Sequence, residues 1–267
     1  MRHPQFIIAT YPRTGSTLLC DCLGQHPKIR EAMEIFHERH TSEDFREQWR
    51  KEKFLELYGM AQENMSRLGS NGQEVLDFDR FDFLPFVRSL VEHFNGFKLI
   101  YHQVPVNANL WSYFLEEVKP KVVFMQRGFL EACVSLFLSI RTGVWQRYHP
   151  HDPIPEPAIS ISVTDLQEFY RIFYQPELEY REKFSSLESM TVDYNELQQD
   201  YQGTMKVVQE FLELSPIEVH LRIYKKTTKP VQDLISNYDE LMNLLDGESA
   251  EKYVEKLMAS SRNVKFI

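Results

Sequence analysis

Four short apolar runs punctuate the chain, and helical spacing separates them. Phe6-Ile7-Ile8-Ala9 is the first, closed by a Pro/Gly turn and followed by Leu18, Leu19 and Leu23 at helical spacing. That succession predicts buried strand, tight loop and helix. Phe97 to Tyr101, Lys121 to Met125 and Met190 to Tyr194 make three further strands. Helical stretches cover about 80–94, 107–117 and 128–142. In the last of these Leu130, Val134 and Leu138 recur every fourth residue with Cys133 and Phe137 beside them, which describes a buried stripe.

Strands alternating with helices predict an α/β chain, with parallel βαβ units in a doubly wound sheet. Ligands of such sheets bind beyond the carboxyl ends of the strands. Two stretches break the alternation. Residues 41–68 pattern as helix, opening with Thr41 and Asp44 spaced as a capping box. Pro150, Pro153, Pro155 and Pro157 make 149–157 a loop, placed as a seam or lid. Thr164 with Gln167 then caps a helix running to about 184, and the tail, 231–259, reads as two helices.

Charge changes the picture next. A formal charge of −9 over 267 residues argues against a broad nucleic-acid surface but leaves room for a local basic pocket. The 19 Phe and 13 Tyr are core material. Cys20, Cys22 and Cys133 are sparse and odd in number, which points to a reducing, cytoplasmic setting. Cys20 and Cys22 lie two apart on a helix and face different ways, so they make no metal or redox pair. No apolar run approaches the roughly 20 residues that span a bilayer. Met-Arg-His-Pro-Gln leads directly into a strand and does not read as a signal peptide.

The loop after the first strand carries the candidate chemistry. In Tyr11-Pro12-Arg13-Thr14-Gly15-Ser16-Thr17, successive backbone N–H groups and a helix N-terminus make an anion site. Gly15 permits close backbone approach, Arg13 adds a fixed charge, and Ser16 and Thr17 add hydroxyls. The competing reading is an ordinary strand-to-helix turn with a Ser/Thr cap. A Walker A loop does not fit, because that pattern needs two glycines and a Lys before the hydroxyl residue.

Tyr-Pro-Arg-Thr-Gly-Ser-Thr-Leu-Leu resembles the 5′-phosphosulfate loop of sulfotransferases that use 3′-phosphoadenosine 5′-phosphosulfate (PAPS). The similarity is greatest to the bacterial trehalose and lipopolysaccharide sulfotransferase-like group. Gly96 to Gln103, Val134 to Trp145, Met33-Glu34-Ile35-Phe36 and Ser236 to Leu241 resemble further segments of that group in the same order. The resemblance implies one domain, 1–267, with a P-loop-like central parallel sheet flanked by helices and carrying helical insertions. The PAPS core would be about 5–26, 96–145 and 186–230, with acceptor-side insertions at about 27–80 and 146–185. PAPS is then the donor and the 3′,5′-diphosphate PAP the product. A small-molecule or glycolipid hydroxyl is the acceptor.

The resemblance also implies roles. Pro12, Arg13, Thr14, Gly15, Ser16 and Thr17 would hold the 5′-phosphosulfate, and Arg127 and Ser135 the 3′-phosphate. Lys225, Lys226 and Lys229, with Thr227 and Thr228, form a polar loop that either closes over that phosphate or is a solvated turn; Lys226 and Thr228 are its candidate ligands. Glu34 is the first choice for the acceptor's base, with His37, His40 and His102 as alternatives. Lys98 and Gln103 stand at opposite ends of a strand and share a pocket only if the chain bends between them. No His, Cys and carboxylate cluster has metal spacing, so charge would be met by Arg13 and the loop amides. The weighed alternatives are a nucleotide or sugar kinase, which lacks its Lys and Walker B Asp here, and a nucleotide-binding module without catalysis.

Overall fold

A computed structural model describes the chain except residues 1–4, 35–44, 61, 69–73, 78–79, 104–107, 154, 225–226, 228 and 263–267. Its strands are β1 (Phe6–Thr10), β2 (Glu31–Glu34), β3 (Ser66–Leu68), β4 (Glu74–Leu76), β5 (Gly96–Ile100), β6 (Lys121–Gln126) and β7 (Ser189–Asp193). The helices before residue 150 are α1 (Ser16–Leu23), α2 (Phe45–Tyr58), α3 (Leu84–His93), α4 (Ala108–Ser112) and α5 (Phe129–Thr142). After it come α6 (Val163–Phe169), α7 (Gln175–Lys183), α8 (Tyr194–Gln199), α9 (Tyr201–Phe211), α10 (Val231–Leu234), α11 (Tyr238–Leu244) and α12 (Ala250–Arg262).

Five strands form one sheet in the order β2-β5-β1-β6-β7, every neighbouring pair parallel. β3 and β4 make a separate antiparallel pair. Successive side chains on a strand point to opposite faces, and β1 divides the core accordingly. Ile7 and Ala9 join the larger cluster with Phe97, Leu99, Val122 and residues of α3, α5, α6 and α12. Phe6 and Ile8 join the smaller cluster under α1 and α9, with Leu19, Val123, Met205 and Val208. The expected α/β architecture is therefore present, and the five carboxyl ends share one edge of the sheet.

Several expectations need correction. The sheet has a fifth strand, β2, within the stretch 27–80, where an insertion and no strand of the sheet was expected. Among the described residues of 41–68 the α-helix is α2, and a 3-10 turn at Gln62–Met65 and β3 follow it. Thr41 and Asp44 lie outside the described residues. The cap of α6 is Ser162, not Thr164: its Oγ accepts from the Asp165 backbone N–H at 3.1 Å while Asp165 accepts from the Ser162 N–H at 2.8 Å. The helical run to 183 contains a π turn at Tyr170–Tyr174, and the stretch 107–117 likewise resolves into α4 and a π turn at Tyr113–Val118. The tail holds three helices instead of two, the first a single turn. The proline-rich loop carries no helix among its described residues.

Candidate active site

All five strands of the sheet contribute to the site through their carboxyl ends. β1 supplies the loop Tyr11–Gly15, β6 supplies Arg127, β7 delivers Tyr194, β2 ends at Glu34, and β5 runs into a 3-10 turn at Tyr101–Gln103. One open cavity is lined by Arg13, Gly15, Ser16, Thr17, Arg127 and Ser135, with Trp145, Tyr194 and Thr227 among its other walls.

The first loop is held in an unusual backbone shape. Arg13 sits at φ 73° and Gly15 at φ 89°, a region that costs an L-residue about 1–2 kcal/mol. Contacts hold Arg13 there: Arg127 Nη1 donates to its carbonyl at 3.0 Å, its own Nε donates to Ser135 Oγ at 3.3 Å, and its Nη2 donates to the Trp145 carbonyl at 2.8 Å. Buried Thr14 pairs with the Thr10 hydroxyl and donates to the Tyr11 carbonyl at 3.3 Å. Gly15 is required for a second reason. A Cβ there would lie 2.3 Å from Tyr194 Cδ2. Pro12 is half-buried at the start of the turn.

Gly15 is also the N-cap of α1, and no side chain caps this helix. That answers the competing reading, which required a Ser/Thr cap. The first turn instead lines the cavity and offers its N–H groups and the positive end of the helix dipole to an anion.

Besides its bond to the Arg13 carbonyl, Arg127 is placed by three further contacts. Its guanidinium lies 4.2 Å from the Tyr194 ring centroid, its Nε is 3.5 Å from Glu131 Oε2, and the Tyr11 hydroxyl donates to its carbonyl at 2.6 Å. Burial, and then the neighbouring Arg127 charge, destabilise the Arg13 cation and lower its pKa to about 10. Two guanidiniums that repel one another across a cavity fit a polyanion such as a nucleotide phosphosulfate, which relieves both costs.

At the end of β2, Glu34 pairs with Lys98, Nζ to Oε1 2.5 Å, and receives a bond from Gln103 Nε2 at 3.4 Å. Lys98 and Gln103 thus reach the same carboxylate, because the turn after β5 supplies the bend. His102 lies in that turn with its ring edge-on to Phe173 at 5.0 Å. Lys225, Lys226, Thr228, His37 and His40 lie outside the described residues. Thr227 lines the cavity, and Lys229 is exposed with its backbone N–H donating to Glu156 at 3.3 Å.

Sequence reasoning missed Tyr194 and Arg50. Tyr194 had a signal, since it ends a strand run on the cavity edge. Arg50, whose Nη1 donates to the Glu34 carbonyl at 3.3 Å, is one of several charges along α2 and had none. The three cysteines are buried and not joined in disulfides, and burial pushes the Cys22 thiol up to about 12, away from nucleophilic use. Among the described residues no group of three or more His, Cys, Asp or Glu is placed to hold a metal ion.

A model of the sulfotransferase domain matches residues 3–261. The chain belongs to the sulfotransferase domain family. This sulfotransferase is similar to nodulation protein H of Rhizobium tropici, at 22% identity over 252 residues, which are 94% of this chain and 92% of that protein. Among solved structures it is similar to a sulfotransferase from Alicyclobacillus acidocaldarius, covering 97% of each chain at 16% identity and a TM-score of 0.49. Mouse SULT7A1 in complex with PAP gives 12% identity and a TM-score of 0.39 over 80% of this chain and 60% of that one. Family membership makes the chain an enzyme of sulfuryl transfer, and PAPS as donor with PAP as product accords with it. Among the described residues no helix is long and apolar enough to cross a membrane.

Proposed function

We propose that this sulfotransferase moves a sulfuryl group from PAPS, seated in the cavity of Arg13 and Arg127, to a hydroxyl of a carbohydrate, glycolipid or other small alcohol. The observation that carries the reading is the uncapped start of α1, with the two guanidiniums lining the same cavity. Charge grows on the 5′-phosphate as the sulfuryl group departs, and Arg13 with the Gly15–Thr17 amides would stabilise it. Arg127 and Ser135 would hold the 3′-phosphate, with the Tyr194 ring packed against the Arg127 fork to hold its orientation. In-line transfer rests on positioning and charge, by analogy with phosphoryl transfer. Glu34 takes the acceptor proton, its carboxylate being mostly buried yet reachable at the end of β2. Lys226 and Thr228 would close over the 3′-phosphate. Three buried cysteines not joined in disulfides suit action in the cytoplasm.

Thermal melting with ligand tests the donor reading. PAP should raise the melting temperature, since a ligand of the native state stabilises by mass action, and ATP with Mg²⁺ should do far less. Strong stabilisation by ATP with Mg²⁺ and none by PAP would hand the site to a kinase.

A further inference from the structure

Lys98 places an ammonium inside the sheet. β5 lies between β1 and β2, with Lys98 opposite Ile8 on one side and Glu34 on the other. Its side chain keeps only 2% exposure, which lysine tolerates when its charge is met. Nζ lies 2.5 Å from Glu34 Oε1 and donates to Thr17 Oγ1 at 3.3 Å. Those two partners belong to different halves of the site. Thr17 stands in the first turn of α1 and lines the donor cavity, whereas Glu34 ends β2 and keeps 22% exposure. An acceptor can therefore reach Glu34 but not Lys98. Gln103 Nε2 holds the other carboxylate oxygen at 3.4 Å, and Arg50 holds the Glu34 backbone carbonyl at 3.3 Å.

We propose that Lys98 is a positioning residue for the transfer: one buried ammonium fixes the Glu34 carboxylate and the Thr17 hydroxyl relative to each other, so that base and donor loop stay aligned. The inference rests on the reading of Glu34 as the proton acceptor. During transfer the proton passes from the acceptor hydroxyl to Glu34, and Lys98 keeps its three protons throughout. A cation against a carboxylate favours its ionised form. Among the described residues, the charges that face Glu34 include Lys98 from β5 at the carboxylate and Arg50 from α2 at the backbone carbonyl; Gln103, from the turn after β5, is neutral.

The test is a cycle of four proteins: wild type, Glu34→Gln, Lys98→Met and the double variant. PAP affinity is measured by titration. Turnover of PAPS is followed with water and with a panel of small sugars and alcohols as acceptors. Ionisation of Glu34 is read across pH by infrared difference spectra, wild type against Glu34→Gln and Lys98→Met against the double variant. Lys98→Met should lower kcat by roughly 10–100-fold while PAP affinity stays within about threefold. It should also move protonation of Glu34 to higher pH, because the cation that favours the carboxylate is gone. In the Glu34→Gln background the same change should cost less than about threefold, because the group through which Lys98 acts is gone. An equal loss in both backgrounds, or an unmoved Glu34 titration with wild-type kcat, overturns the proposal. Full kcat in Glu34→Gln instead sinks the base reading on which it rests. Stripping the cation from a half-buried carboxylate threatens folding. Lys98→Gln, which keeps a donor for each partner, is read in the same way; Glu34→Gln takes the carboxylate from the buried Lys98 ammonium, whereas the double variant carries neither charge of the pair.

Discussion

Gly15→Ala places a methyl group where the structure has neither room nor a favourable backbone. At φ 89° an alanine costs about 1–2 kcal/mol. Its Cβ would stand 2.3 Å from Tyr194 Cδ2 and 2.8 Å from Cε2, about 1 Å inside the ~3.5 Å at which carbon atoms rest. The ring cannot simply step back, because the Arg127 guanidinium is stacked 4.2 Å from its centroid. Overpacking of this kind costs about 1–3 kcal/mol. The two parts give roughly 2–5 kcal/mol, a large share of the ~5–15 kcal/mol that holds a native protein together. Melting should fall by roughly 5–15 °C, and PAP should bind more weakly as Tyr194 tilts Arg127. Calorimetry on Gly15→Ala, Tyr194→Ala, the double variant and wild type separates the parts. In the Tyr194→Ala background the contact is gone, so Gly15→Ala should cost only the backbone part of about 1–2 kcal/mol. Equal costs in the two backgrounds would refute the contact. A Gly15→Ala protein that melts like wild type would refute the loop geometry altogether.

Other expectations are shorter to state. Glu34→Gln should leave PAP affinity near wild type and lower kcat on the order of 10²–10⁴-fold; a silent Glu34→Gln beside a crippled His102→Asn would move the base to His102. Turnover should survive EDTA, since Arg13 and the loop amides meet the developing charge. Loss of activity to the chelator with recovery on adding Mg²⁺ or Zn²⁺ would overturn that mechanism.

What the sequence made legible follows from how local each signal is. β1, β5 and β6 are largely apolar runs, and burial on both faces is written into a few adjacent residues; β7, Ser189–Asp193, buries only Val192 and shows through its β-branched Thr and Val. β2 is an edge strand, Glu31-Ala-Met-Glu34, whose pairing with β5 shifts register between Glu31 and Glu34. Nothing in four such residues distinguishes strand from loop, because the partner β5 lies more than sixty residues away. The α6 cap shows a different limit. Thr164 with Gln167 and Ser162 with Asp165 both fit the capping pattern, and only the turn geometry chooses Ser162. At the site, the donor loop was legible because it is contiguous. The Glu34, Lys98 and Gln103 cluster was not, since it depends on the β2–β5 register and on the 3-10 turn at Tyr101–Gln103. Tyr194 fell between these cases: its place at a strand end was visible, its stacking under Arg127 was not.

The central claim is that the cavity of Arg13 and Arg127 binds a nucleotide bearing both a 5′-phosphosulfate and a 3′-phosphate. Isothermal titration of Arg127→Ala and wild type, each with PAP and with adenosine 5′-phosphosulfate, tests it most directly, because the second ligand lacks the 3′-phosphate. A charged hydrogen-bonded contact is worth about 1.5–3 kcal/mol, so Arg127→Ala should weaken PAP by roughly 10–100-fold. Adenosine 5′-phosphosulfate should lose little. Equal losses for the two ligands, or no binding of PAP to the wild-type protein, would contradict the account.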